Sequence, residues 1–101
     1  MARGDVYRLP GQNGGGLVLD VQADLLSSLT TRVVIPLFPP AAMRPAAARL
    51  NPVFTIERQP YMLMTQAIAT VPRRALGQVM TSLKNQYDTV LAAIDLLLTG
   101  L

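Results

Sequence analysis

Six carboxylates are available for chemistry in this chain: Asp5, Asp20, Asp24, Glu57, Asp88 and Asp95. Asp20 and Asp24 stand four residues apart. On a helix that spacing would align them as an acid/base pair or a hard-metal site; on a strand it would not. Turn and edge roles are the commoner use of such aspartates. The serines are Ser27, Ser28 and Ser82, and the chain contains no histidine, so no Ser-His-Asp triad can form. The absence of cysteine removes disulfides, thiolate metal sites and thiol nucleophiles. Arginine, a carboxylate and threonine can together cleave RNA, because arginine stabilises a pentacovalent phosphate. Those residue types are present, but no spacing selects them. We therefore expect no catalytic residue, no metal and no cofactor. The stretch GQNGGG at 11–16 would cradle a phosphate only with a strand before it and a helix after it. The alternating Leu17, Leu19 and Val21 that follow point to a strand, which makes the glycines a hairpin tip.

The elements that must carry any site are mostly strands. Residues 3–8 read as a first strand with Val6 and Tyr7 as core residues, and 17–24 as a second that Asp24 closes. Ser27-Ser28 mark a turn before Val33-Val34-Ile35, a β-branched run. Pro36 donates no hydrogen bond, which places that strand at an edge or near its end. Four prolines in 39–52 leave room for at most a turn of helix. Val53, Thr55 and Glu57 then face one side and Phe54 and Ile56 the other, with Arg58-Gln59-Pro60 as the turn into a strand around Tyr61 and Leu63. From Val79 onward the apolar period lengthens to three and four residues, through Leu83, Tyr87, Val90, Ile94 and Leu97, which predicts a helix ending at Gly100. The fold class expected is mostly β (α+β): a small antiparallel β-barrel with a long C-terminal helix, one domain over 1–101.

Half the residues are hydrophobic and only 15% are charged, rich for a single small domain. A second copy is the natural cover for the excess. Leu96, Leu97 and Leu98 point in directions about 100° apart around the helix end, so that end needs burial on more than one side. Ile94, Leu97 and Leu98 are accordingly the candidate dimer interface. The net charge of +3 is mild, and the one adjacent basic pair, Arg73-Arg74, makes no basic stripe for nucleic acid. No apolar N-terminal leader and no span of about 20 apolar residues occur, so a cytoplasmic protein with no membrane partner is expected.

Six segments in order, LDVQADLL (19–26), TRVVIPL (31–37), NPVFTI (51–56), YMLMTQAIATVP (61–72), LGQV (76–79) and AAIDLLLTGL (92–101), together resemble the CcdB toxin family. The resemblance implies an SH3-like β-barrel homodimer that is not an enzyme. It implies the toxin of a type II toxin–antitoxin module, which binds the A subunit of DNA gyrase and traps the gyrase–DNA cleavage complex. A CcdA-type antitoxin would wrap around it, and the two would repress their operon, so that DNA is met only through gyrase or the antitoxin. Carried over by position, the gyrase-binding residues are Thr99, Gly100 and Leu101, with Asp95 and Leu98 beside them and Leu25 and Leu26 opposite. Asp95, the helix C-terminus and the terminal carboxylate would form an anionic patch that accepts an arginine of the target. The antitoxin-binding residues implied are Tyr7, Arg8, Arg58 and Tyr61. The family pattern has tryptophan where this chain has Thr99, and threonine cannot stack on arginine. Two alternatives stay open: an RNA-cleaving toxin of the same barrel fold, and a non-toxic homologue that only binds an antitoxin.

Overall fold

The computed structural model describes residues 2–9, 16–40 and 48–100. Most of the glycine stretch, the centre of the proline-alanine segment and Leu101 lie outside the described residues. Among the described residues seven strands and one α-helix follow in order: β1 (Asp5–Leu9), β2 (Gly16–Asp20), β3 (Thr31–Phe38), β4 (Val53–Ile56), β5 (Gln59–Leu63), β6 (Ala69–Pro72), β7 (Val79–Ser82) and α1 (Tyr87–Thr99). All pairings are antiparallel, in the order β4-β5-β3-β2-β1-β7, with β6 also on β3. The result is a curled half-barrel closed by one C-terminal helix.

β3 is the pivot of this sheet. One edge pairs with β2 throughout. The other edge is shared: Thr31–Val34 pair with β6, and Leu37 and Phe38 with β5. Pro36 lies inside the strand, not at its end. Its carbonyl accepts the Met64 N–H at 2.9 Å on the shared edge. Its missing N–H falls on that same edge, where β6 has ended and β5 begins, so no ladder bond is lost.

The hairpin from β4 to β5 turns one residue earlier than the sequence pattern predicts. Ile56 pairs with Gln59, leaving Glu57 and Arg58 as the two loop residues, at φ of 52° and 67°. Positive φ at both loop positions is the type I′ geometry, whose twist matches that of the flanking strands. Neither residue is a glycine or asparagine, and the turn is hidden in the sequence for that reason. Phe54 and Ile56 are buried and Val53 and Thr55 exposed, as the alternation requires.

A larger difference concerns 79–86. The helix-like spacing of apolar residues begins at Val79, but Val79–Ser82 form β7, which pairs with β1. The helix starts at Tyr87 and buries Tyr87, Val90 and Ala93. Tyr87 and Val90 join Val6, Leu19, Ile35, Phe54, Ile56 and Leu63 in the main core, with Ile94 at its margin. A second cluster, Tyr7, Val18 and Val34, fills the opposite face of the sheet. Among the described residues no helix is long and apolar enough to cross a membrane.

Candidate functional site

Large apolar side chains are exposed at several places, Val53 and Val79 among them, and two of these places hold residues carried over by position from the CcdB resemblance. The first is the end of α1. Leu98 is 69% exposed, Leu96 and Leu97 are half-buried, and Asp95 and Thr99 are exposed. The Thr99 hydroxyl donates back to the Asp95 carbonyl at 2.6 Å, which folds its side chain onto the helix. Gly100 closes the helix in the left-handed region at φ 77°, its N–H donating to the Leu96 carbonyl at 3.1 Å. A Cβ at residue 100 would meet no atom within 4 Å. The glycine is thus required by backbone conformation and not by crowding within the chain.

The second is the 3₁₀ turn Asp24–Leu26 between β2 and β3. Leu25 is 92% exposed, and Leu26 and Leu29 are also exposed. This turn rests on a buried polar network. Asp20 and Arg32 have no solvent exposure, and Arg32 donates from Nε (3.0 Å) and Nη2 to Asp20 Oδ2. Asp20 Oδ1 accepts the Gln22 backbone N–H at 3.0 Å. The Gln22 side chain accepts the Val33 N–H at 3.1 Å and donates to the Leu26 carbonyl at 2.9 Å. From the other side Asp24 Oδ1 accepts the Arg3 N–H at 2.7 Å, and Arg73 Nη1 donates to the Ser27 carbonyl at 3.0 Å. The Arg3 guanidinium also lies 4.6 Å from the ring centre of Tyr87, the first residue of α1.

The aspartates weighed as a pair are therefore separated in role. Asp20 is the buried partner of Arg32, and Asp24 is an exposed residue whose carboxylate accepts the Arg3 N–H. Among the described residues no group of three or more His, Asp or Glu could hold a metal ion. No sequence signal pairs Arg32 with Asp20 or Gln22 with Val33, because those partners stand 12 and 11 residues apart in the chain.

The model of the CcdB protein family matches residues 3–100. The chain belongs to the CcdB family. Among solved structures it is similar to an endoribonuclease from a mycobacterial species in complex with its cognate antitoxin, with 19% identity and a TM-score of 0.69 over 94% of this chain and 89% of that one. It is also similar to the Mycobacterium tuberculosis toxin MazF-mt6, with 18% identity and a TM-score of 0.72 over 90% and 92% of the two chains. At these identities the likeness shows a shared fold. The CcdB-family match extends through the whole of α1, including Asp95, Leu98, Thr99 and Gly100.

In this CcdB-family chain the residues carried over as a gyrase surface divide between the two places just described. Asp95, Leu98, Thr99 and Gly100 lie on the helix end, and Leu25 and Leu26 on the turn; Leu101 is outside the described residues. The four residues carried over for the antitoxin do not all share one surface. Arg8 and Tyr61 line a cleft of about 240 Å³ with Gly16, Leu17, Leu37, Phe38 and Pro39. Arg58 is exposed on the β4–β5 turn. Tyr7 is only 2% exposed and belongs to the second core cluster, so it supports β1 from within and offers nothing to a partner. Its one-residue offset from Arg8 is the physical reason: neighbours on a strand face opposite sides.

Proposed function

We propose that this chain is a toxin that acts as a homodimer by binding the A subunit of DNA gyrase and holding the cleaved gyrase–DNA intermediate. A CcdA-type antitoxin neutralises it and joins it in repressing their operon, all in the cytoplasm. The observation that carries the reading is the helix end: an exposed leucine followed by a glycine-closed terminus, in a chain that matches the CcdB family through residue 100. The action is binding, with no bond chemistry by the toxin itself. A second copy packed along Ile94, Leu97 and Leu98 brings two helix ends together about a two-fold axis. The cleft of Arg8 and Tyr61, with Arg58, is the antitoxin surface; the antitoxin-bound mycobacterial neighbour supports a partner of that kind.

The fold shared with an endoribonuclease favours a second reading, RNA cleavage. A cleft of about 240 Å³ lined by Thr30, Arg73 and Arg74 supplies threonine and arginine for it, with no carboxylate among its lining residues. One experiment separates the two. The protein is incubated with gyrase and supercoiled plasmid, and separately with single-stranded RNA. Linear plasmid after protein removal with intact RNA supports the gyrase reading; cleaved RNA with no linear plasmid overturns it. Thr99→Trp sharpens the test. An aromatic that stacks on a target arginine adds about 0.5–2 kcal/mol, so gyrase affinity should rise roughly 2- to 30-fold.

A further inference from the structure

An exposed leucine on a short turn is ordinarily a mobile contact. Leu25 is not placed that way. The chain leaves β2 at Asp20, and Asp20 Oδ1 catches the Gln22 N–H two residues on, which bends the backbone out of the sheet. The same carboxylate is fixed from behind by two donors of Arg32, a β3 residue. Val33, next on β3, gives its carbonyl to the Val21 N–H and its N–H to the Gln22 side chain. Gln22 thereby occupies the ladder position where a further strand residue would pair. Its amide then reaches the Leu26 carbonyl. A continuous series of hydrogen bonds runs from a wholly buried ion pair to the backbone of the turn.

A buried ion pair is a poor way to stabilise a small domain, since apolar residues of the same volume do as well or better. Arg32 also leaves Nη1 buried without a partner. What the pair does supply is one fixed geometry. We infer that Asp20, Arg32 and Gln22 are positioning residues for partner binding: they hold the Asp24–Leu26 turn so that Leu25 and Leu26 meet the target preformed. The inference rests on the reading of Leu25 and Leu26 as target contacts. Positioning by a buried polar series fits the case where an apolar contact is small and its ordering cost is a large share of its value.

The test uses the full-length protein with the purified A subunit of gyrase. Gln22→Met keeps length and burial but removes both side-chain hydrogen bonds. It should speed amide exchange at Ser27 and Leu29 at least tenfold, while exchange at Val90 in the core is unchanged. Unchanged exchange at the turn overturns the inference whatever the target is. Affinity is then measured for Leu25→Ala, Gln22→Met and the double variant. If Gln22 acts through the turn, Leu25→Ala weakens binding in the native background and has little further effect beside Gln22→Met. Additive losses would mean that Gln22 acts elsewhere, and they count against the inference. If Leu25→Ala alone leaves affinity unchanged, the target-contact reading fails, and with it the role in partner binding. Arg32→Lys, which keeps the charge but not the two-pronged grip, should give an intermediate exchange rate.

Discussion

The helix end and the 24–26 turn both hold leucines out to solvent, yet they are built by opposite means. At the helix end the hydrogen bonds of Thr99 and Gly100 are local, within the last turn of α1. Main-chain bonds run within α1, Thr99 returns to Asp95, and Gly100 closes the last turn through Leu96. At the turn local bonds, such as Gln22 to Asp20 and Leu26, are joined by several tertiary ones. The bonds that Arg3 and Arg73 make to it span 21 and 46 residues of chain, and those of Arg32 and Val33 beneath it span 12 and 11. Loss of one side chain at the helix end leaves its backbone bonds in place, whereas loss of one member of the buried network removes bonds that hold the turn. The two should therefore respond differently to substitutions of equal size.

The largest contrast lies in Asp20. Asp20→Leu leaves Arg32 charged, buried and unpaired, and a broken buried pair costs about 3–5 kcal/mol. Urea unfolding should read that loss, whereas Leu98→Asp, at an exposed position, should stay within about 0.5 kcal/mol for the monomer fold. The double variant Asp20→Leu/Arg32→Met should recover most of the stability, because matched apolar replacement of a buried pair is often neutral. Equal losses for Asp20→Leu and Leu98→Asp would erase the contrast.

This difference is also why one surface was legible in the sequence and the other only half so. The α1 face was written in the spacing of Val90, Ile94 and Leu97, and Gly100 marked its end. The turn's leucines came only from family resemblance, and the network under them came from nothing. Asp20 looks paired with Asp24 in the sequence, while its partner Arg32 stands 12 residues on across a strand pair. Val79 and Met80 misled for a related reason. Their spacing to Leu83 and Tyr87 fits a helix, and only the edge of β1 waiting for a partner turns them into β7. In the same way Glu57 and Arg58 take a left-handed turn that their residue types do not announce, because the pairing of β4 with β5 demands it.

Within the helix end, Leu97 and Leu98 divide the burial. Leu97 is half-buried against its own chain, and Leu98 projects outward. Leu97→Asp should lower stability by about 1–2 kcal/mol, a fraction of the value of a fully buried leucine. It should also shift the dimer toward monomer in sedimentation velocity. A variant that remains dimeric with an unchanged melting temperature would remove Leu97 from both roles. Gly100→Ala should cost less, about 1 kcal/mol, because alanine in the left-handed region is strained but meets no neighbour. The cost should appear as faster amide exchange at residue 100 and as a fall in global stability of no more than about 1 kcal/mol.

Tyr87 joins the two regions, and its titration tests the junction. It opens α1, and its ring lies under the Arg3 guanidinium whose backbone N–H holds Asp24. Burial pushes the Tyr87 hydroxyl above its usual 10.0, against a smaller opposing pull from Arg3. Burial also raises Tyr7, with Asp5 adding to the effect. A raised folded-state value means the native protein holds these protons more tightly than the unfolded chain. The associated stability is fully present below about pH 10, where unfolded tyrosine is neutral, and is lost as pH rises through the folded values. Melting temperatures measured from about pH 8 to 11 should therefore be flat and then fall. Tyr87→Phe keeps the ring beneath Arg3 and removes a buried hydroxyl that meets no protein partner, so at about pH 8 its stability should differ little from the native chain. Above about pH 10 it should fall less steeply, and Tyr7→Phe added to it should flatten the profile further. If ionised Tyr87 is what loosens the junction, exchange at Ser27 and at the start of α1 should quicken together in the native protein and stay slow in Tyr87→Phe. Quickening at α1 alone would show that Arg3 does not tie the turn to the helix, and would leave the two surfaces independent.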